Sequence, residues 1–214
     1  MAAGGKPGHD CPLCPRLVEF RKKWRAQEPS WFNAPVPSFG PVDARLLIVG
    51  LAPGLQGANR TGRPFTGDWA GDLLYETLGR YGFARGDYAE RADDGLQLID
   101  CRITNAVRCV PPENKPTPAE IKTCRKFLVA QISSMPNLRA ILALGKIAHD
   151  SVCDTLGAKK SAHPFKHGGA YAMERLTLVS SYHCSRYNTN TGVLTVAMFD
   201  AVVKQAKLAA MPQI

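Results

Sequence analysis

Two groups of residues in this 214-residue chain have the types and spacing to do chemistry. The first is GLAPGLQGANRTGRPFTGDWAGD, residues 50–72, which follows directly on the apolar run RLLIVG. Its glycines, Gly54, Gly57, Gly62 and Gly67, let a backbone approach a ligand closely and present amides to an anion. Phe65 offers a flat face for a ring, and Asp68 a carboxylate. The spacing matches neither G-x-G-x-x-G nor G-x-x-x-x-G-K-[ST], and no lysine stands where a phosphate loop needs one. A mononucleotide site is therefore disfavoured, while a long loop of this composition reads as functional rather than as a connector.

The second group is the C-x2-C pair Cys11 and Cys14, with Cys109 and Cys124 farther along. Four such thiolates suit a zinc ion or a 4Fe–4S cluster alike. The total of seven cysteines is odd, and no N-terminal stretch has the apolar core of a secretory leader, so a disulfide framework is not expected. Cys101 and Cys153 read as small buried hydrophobes.

The elements that must position these groups can be read from hydrophobic patterning. Four aliphatic runs close on polar or Gly-rich turns: RLLIVGLAPG at 45–54, LQLIDCRITN at 96–105, LRAILALG at 138–145 and RLTLVSSYHC at 175–184. Their nearly unbroken apolar character is that of strands buried on both faces. Helical patterns separate them: AGDLLYETLGRYG, PTPAEIKTCRKFLVAQI and KIAHDSVCDTLG, with GVLTVAMFDAVVKQAKLAAM closing the chain. Strands alternating with helices predict an α/β fold, a single three-layer domain with a central four-stranded parallel sheet flanked by helices. Residues 1–40 form an N-terminal arm and basic helix carrying two of the four cysteines, and residues 41–214 the core. In such sheets ligands sit beyond the carboxyl ends of the strands. The loop after Gly50, Asn105 at the end of the second strand and His183 after the fourth should therefore converge.

The 27 Lys and Arg against 18 Asp and Glu leave a net charge of +9, which suits a polyanionic partner such as DNA. No segment is long and apolar enough for a membrane span. The expectation is a cytoplasmic, nucleoid-associated monomer. Arg21, Lys22, Lys23 and Arg25 make a basic run that faces either phosphates or solvent.

The loop GLAPGLQGANRTGRPFTGD, the later YHCSRYNTNTG and the stretch RITNAVRCVPPENKPTP, in that order, resemble the motifs of the uracil-DNA glycosylase superfamily. They are closest in form to its B-type, iron–sulfur-containing branch (family 5). The resemblance runs from about residue 10 to about residue 200. It implies excision of uracil, and of other deaminated bases such as hypoxanthine, from DNA as the first step of base excision repair. It also implies that Cys11, Cys14, Cys109 and Cys124 hold a 4Fe–4S cluster tying the arm to the core.

The resemblance further places Asn105 where the base edge is read, Phe65 where the extruded ring stacks, and His183 where the departing oxygen is met. A flipped base needs all three functions. Ala52 stands where related families carry a water-activating Asp or Asn, and with Gly54 it would line the base pocket. That leaves Asp68 as the carboxylate facing the sugar, with Asp72 a helix N-terminal charge. Arg60, Thr61, Arg63 and Ser185 are candidates for phosphate contacts, and Arg186 and Tyr187 for the gap left by the base. Cys184 replaces a proline usual after the motif histidine, which would loosen that loop. His167 is the other histidine expected nearby, and no lysine nucleophile is evident near the motifs, Lys166 being the nearest lysine. Two rival readings are a non-catalytic binder of flipped or damaged bases and a redox-sensing iron–sulfur DNA-binding protein.

Overall fold

The computed structural model describes residues 5–211, so residues 1–4 of the arm and 212–214 at the C-terminus lie outside the described residues. The elements are α1 (Pro15–Gln27), β1 (Leu46–Gly50), α2 (Ala58–Thr61), α3 (Trp69–Arg80), β2 (Ala84–Arg85), β3 (Gln97–Leu98) and β4 (Cys101–Asn105). After a short 3-10 turn at Pro112–Asn114 come α4 (Pro118–Ser133), β5 (Ala140–Leu144), α5 (Lys146–Thr155), β6 (Ala170–Met173), β7 (Leu176–Ser181), α6 (Arg186–Asn190) and α7 (Val196–Ala210).

The main sheet has the order β4-β1-β5-β7-β6. The four long aliphatic segments pair in parallel, as their patterning predicts. A fifth strand, β6, joins antiparallel at the edge of β7, so the sheet is five-stranded rather than four-stranded. The pattern of β6, with alternate residues exposed, is too weak and too short to stand out in the sequence. The run 96–105 is also not one strand. Asp100 adopts a left-handed φ of 52° and turns its carboxylate onto Arg45, accepting from the Arg45 amide at 2.8 Å and from Nε at 2.7 Å. Gln97–Leu98 instead pairs with β2 in a separate two-stranded ribbon.

Alternation along β1 divides the core into two layers. Leu46 and Ile48 pack with Leu74, Leu78, Phe199 and Val203 of α3 and α7. Leu47 and Val49 pack with Leu128, Ile132, Ala148 and Val152 of α4 and α5. Three layers result, because a strand buried on both faces needs helices on both.

The arm is fastened to the core by apolar packing and by charge. Leu17 is buried with Val107, Cys124 and Phe127. Glu120, whose carboxylate completes a capping box with Thr117 at the start of α4, also accepts from Arg16 Nε and Nη2 at 2.8 and 2.7 Å. Among the described residues, no helix is long and apolar enough to cross a membrane.

Candidate active site

The carboxyl ends of β1, β4 and β7 open onto a cavity of about 400 Å³. Ala52, Gly54, Phe65, Asp68, Asn105, His183, Ser185 and Arg186 all line it. The convergence expected from strand order is therefore the geometry observed.

Each side chain is held by identifiable contacts. Asn105 ends β4 opposite Gly50 of β1 in register, and the Ala106 amide donates to the Gly50 carbonyl at 2.9 Å. A Cβ at Gly50 would lie 2.5 Å from Asn105 Oδ1 and 2.7 Å from Phe65 Cζ, so only glycine lets these two side chains meet there. Phe65 itself sits at φ 52°, a left-handed conformation costly for an aromatic residue. Two tyrosines strap the loop in that state: Tyr75 donates to the Pro64 carbonyl at 2.6 Å, while Tyr88 accepts from the Gly67 amide at 3.2 Å and donates to the Phe65 carbonyl at 3.3 Å. The ring of Phe65 lies nearly parallel to His183, with centroids 5.9 Å apart.

Asp68 is the residue before α3, yet its carboxylate makes no capping bond; it lies instead against Gly54 and Gly57. Burial raises its pKa above the ordinary carboxylate value, against the opposing pull of the Gly71 and Ala70 amides. Asp68 Oδ1 and Asn105 Oδ1 are both buried without a hydrogen-bond partner. Unpaired buried acceptors are rare because each forfeits its hydration. Two of them on one cavity wall mark where a donor or a positive charge is to be received.

His183 faces the cavity with its ring partly covered, and desolvation pulls its pKa down to about 4. It is therefore neutral at pH 7. An unfolded histidine titrates near 6.5, so below that pH the unfolded chain takes up a proton that the folded chain refuses. This contribution to stability is intact above pH 6.5 and is lost as pH falls toward 4. Asp68, with its raised pKa, slopes the other way. Hence the stability difference between wild type and His183→Gln, measured by denaturant unfolding, should be constant from pH 7 to 8 and shift against wild type between pH 6.5 and 4. A pH-independent difference would contradict the burial argument.

The loop after β7 is firmer than loss of a proline implies. Cys184 Sγ donates to the Ala70 carbonyl at 3.5 Å, and Asn188 Nδ2 donates to the His183 carbonyl at 2.8 Å. Ser185 caps α6, accepting from the Asn188 amide. Tyr187 is 74% exposed, and Arg186 lies 5.5 Å over the ring of Trp69, whose Nε1 donates to Thr189 at 3.0 Å. The sequence reading missed Trp69 and Asn114, both on the cavity wall. The signal the sequence offers is a tryptophan directly after Asp68, inside the same Gly-rich motif.

Two expectations for the DNA face need correction. Arg63 is not available to phosphate: it forms a two-bond pair with Asp94 at 2.7 and 2.6 Å, the side chains being 4% and 2% exposed, and lies over Phe39, Tyr75 and Tyr88. Thr61 spends its hydroxyl on the Gly57 and Thr66 carbonyls, inside the loop. Arg60 is exposed, with Nε anchored to the Gln56 carbonyl at 2.7 Å. Within the basic run, Arg21 is buried and the other members are not. His167 accepts from the Tyr182 amide and stacks on that ring, and neither it nor the exposed Lys166 lines the cavity. Asp72 lies in the first turn of α3, where a negative charge suits the helix dipole.

Cys11, Cys14, Cys109 and Cys124 line one small cavity between the arm, the end of the β4 loop and α4. Arg21 Nη1 donates to Cys109 Sγ at 3.6 Å, and the Arg108 amide to Cys124 Sγ at 3.4 Å. Burial pushes the Cys109 thiol up to about 12 and the Cys124 thiol up to about 11. Among the described residues, no three His, Cys, Asp or Glu side chains are gathered so as to hold a single metal ion. The set of four thiols with two donors on sulfur fits an iron–sulfur cluster, whose irons each take one thiolate. Cys101, Cys153 and Cys184 are fully buried, as small hydrophobes.

Residues 37–207 match the family model described as the uracil DNA glycosylase superfamily. Among curated proteins, the chain is 46% identical over 204 residues to a type-5 uracil-DNA glycosylase of Thermus thermophilus, covering 92% of both chains. Type-5 uracil-DNA glycosylases of Mycobacterium leprae and Pyrobaculum aerophilum are 44% and 40% identical, each match covering 92% of this chain and 90% and 88% of the relative.

Proposed function

This chain belongs to the uracil DNA glycosylase superfamily, and from that premise we propose how its cavity excises a base. The protein is a uracil-DNA glycosylase that hydrolyses the N-glycosidic bond and so begins repair of deaminated DNA. The observation that carries the reading of the site is the pair of buried oxygens of Asp68 and Asn105 on one wall, neither bonded to another protein group.

Uracil presents an N–H beside a C=O on its Watson–Crick edge. The Asn105 amide both accepts and donates, so its idle Oδ1 receives that N–H while Nδ2 serves the oxygen. Phe65 supports the ring face, with stacking worth about 1–3 kcal/mol. Hypoxanthine carries the same N–H and C=O pair, and a cavity of about 400 Å³ with Ala52 on its wall has room for a purine. The substrate class is thus deaminated bases, uracil and hypoxanthine, in DNA.

When the glycosidic bond breaks, its electron pair leaves with the base and the sugar becomes cationic. Neutral His183 donates to the oxygen on which negative charge grows, at no cost of its own deprotonation. Asp68, destabilised by burial in the ground state, gains a positive neighbour as the sugar cation develops; it takes a proton from the water that adds to the sugar carbon and returns it to solvent, while the departing base anion takes up a proton from solvent. Arg60, Ser185, Arg186 and Tyr187 face the strand around the extruded nucleotide. Arg186, lying over the Trp69 ring, and the exposed Tyr187 occupy the gap.

The cysteines Cys11, Cys14, Cys109 and Cys124 hold a 4Fe–4S cluster in this reading, which joins the arm to the core away from the reacting atoms. Arg21 offsets the charge of the thiolates. Purified protein should carry about four irons and four sulfides per chain. Cys109→Ser should lose the metal and unfold at lower temperature, and full stability without iron would refute the cluster.

The experiment that tests the function is base release from duplexes carrying a single uracil, hypoxanthine or cytosine, with alkali to reveal abasic sites. Release of uracil and hypoxanthine but not cytosine is expected. Absence of release from every duplex would turn the reading toward a non-catalytic binder.

A further inference from the structure

Seven of the fifteen arginines pair with carboxylates, among them Arg16 with Glu120, Arg45 with Asp100, Arg63 with Asp94, Arg80 with Asp200 and Arg125 with Asp154; five of the rest are exposed, and Arg21 donates to Cys109. Among the described residues, Arg102 and Arg108 are neither paired with a carboxylate nor exposed. Both line a cavity of about 400 Å³ beside β4, shared with Lys6 of the arm, Ser38 of the connector, and Gln131 and Ser134 at the end of α4. No carboxylate lines it among the described residues.

Arg108 is only 4% exposed. Its Nη1 and Nη2 donate to Ser38 Oγ at 2.9 and 2.8 Å, and Nη1 also to Thr104 Oγ1, all neutral acceptors. Arg102 donates to the Gly40 carbonyl. The Nε of each guanidinium is buried without a partner. Burying a cation is expensive unless an anion and hydrogen bonds compensate, and here only part of the hydrogen bonding is present. Arg108 also borders the cysteine cavity, where the charges of Cys124 and Cys109 favour its charged form, but Arg102 has no charged neighbour to offset its burial, which lowers its pKa. Arg102 stands three residues before Asn105 on β4, about 10 Å along the strand, and the two cavities share no lining residue.

We infer that this cavity is an anion site for a phosphate group, gripped by the forks of Arg102 and Arg108 with Lys6, Ser38 and Ser134 at its margin. Planar guanidinium forks match tetrahedral oxyanions, and each charge-assisted bond contributes to selectivity over chloride. The phosphate is either the free ion or the terminal phosphate of a nucleic-acid strand.

The test is thermal unfolding of the full-length, iron-containing protein against inorganic phosphate, with sodium chloride added to hold ionic strength constant. Phosphate should raise the midpoint saturably. Arg102→Gln and Lys6→Gln should each weaken half-saturation about tenfold, the loss of one charge-assisted bond. Release of uracil in phosphate-free buffer should be unchanged in both, since neither residue touches the base cavity. A second arm compares duplexes with 5′-phosphate and 5′-hydroxyl ends. Tighter binding of the phosphorylated end that disappears in Arg102→Gln assigns the site to a strand terminus, whereas equal binding alongside a saturable phosphate effect assigns it to the free ion. A phosphate effect no larger than that of chloride overturns the site, as does wild-type phosphate affinity in both variants.

Discussion

Asp68→Asn should lower single-turnover release of uracil by about 10²- to 10⁴-fold while leaving affinity for a uracil-containing duplex nearly intact. The substitution keeps the shape of the side chain and removes only its charge. It spares the helix as well, since Asp68 caps α3 through backbone geometry and not through its carboxylate. The size of the effect follows from where the charge sits. A carboxylate with one oxygen buried and unpaired within the protein interacts with a developing sugar cation in a medium of low effective dielectric, where such pairs are worth most. The same burial raises its pKa. Because the ionised form is the working one, wild-type release should fall as pH drops through that raised value, and the residual rate of Asp68→Asn should lack this dependence. His183, titrating near 4, should add no inflection between pH 6 and 7. A variant that retains release within tenfold of wild type would remove Asp68 from the chemistry.

The second large effect concerns folding. Asp94→Ala should destabilise the protein by about 3 kcal/mol or more, because it strands the Arg63 guanidinium among Phe39, Tyr75 and Tyr88 with no counter-charge. Asp94 also accepts from the Ala89 and Leu96 amides at 3.0 Å, which would be released with it. Set against total stabilities of about 5–15 kcal/mol, such a loss is severe, equivalent to a fall of roughly 6–12 °C in Tm. The double variant Arg63→Met with Asp94→Leu should recover much of it, since replacing both members of a buried pair by apolar groups is often neutral. Denaturant unfolding of the three proteins checks this, and an Asp94→Ala protein within 0.5 kcal/mol of wild type would contradict it. The loop carrying Phe65 hangs on the same clamp through Arg63 Nε to Thr66 at 2.7 Å, so Asp94→Ala should reduce base release as well as stability.

What was legible in the sequence was whatever depends on local pattern. Unbroken aliphatic runs announce strands buried on both faces, and strand order then dictates that the Gly50 loop, Asn105 and His183 meet at one end. The losses occur where a residue's role depends on a partner far along the chain. Arg60 and Arg63 look alike in the motif, yet one is exposed and the other is buried by an aspartate 31 residues away. Nothing in RADDGL announces that Asp94, rather than Asp93, supplies the partner. Arg21 looks like one more member of a solvated basic face, until the fold turns it onto Cys109. Asp100 breaks an apparently continuous strand because its carboxylate is claimed by Arg45, 55 residues earlier. The brace of Trp69 by Arg186 and Thr189 likewise joins segments more than 100 residues apart.

The central claim is that the cavity at the ends of β1, β4 and β7 receives an extruded deaminated base, with Asn105 on its edge and Asp68 at its sugar. The most direct measurement is a crystal structure of the Asp68→Asn protein with a duplex carrying one uracil. The account predicts the uracil out of the stack and over Phe65, its N–H and adjacent oxygen within hydrogen-bond distance of Asn105, and the substituted side chain at position 68 facing the sugar. A uracil still paired in the duplex, or flipped into any other part of the protein, would contradict it.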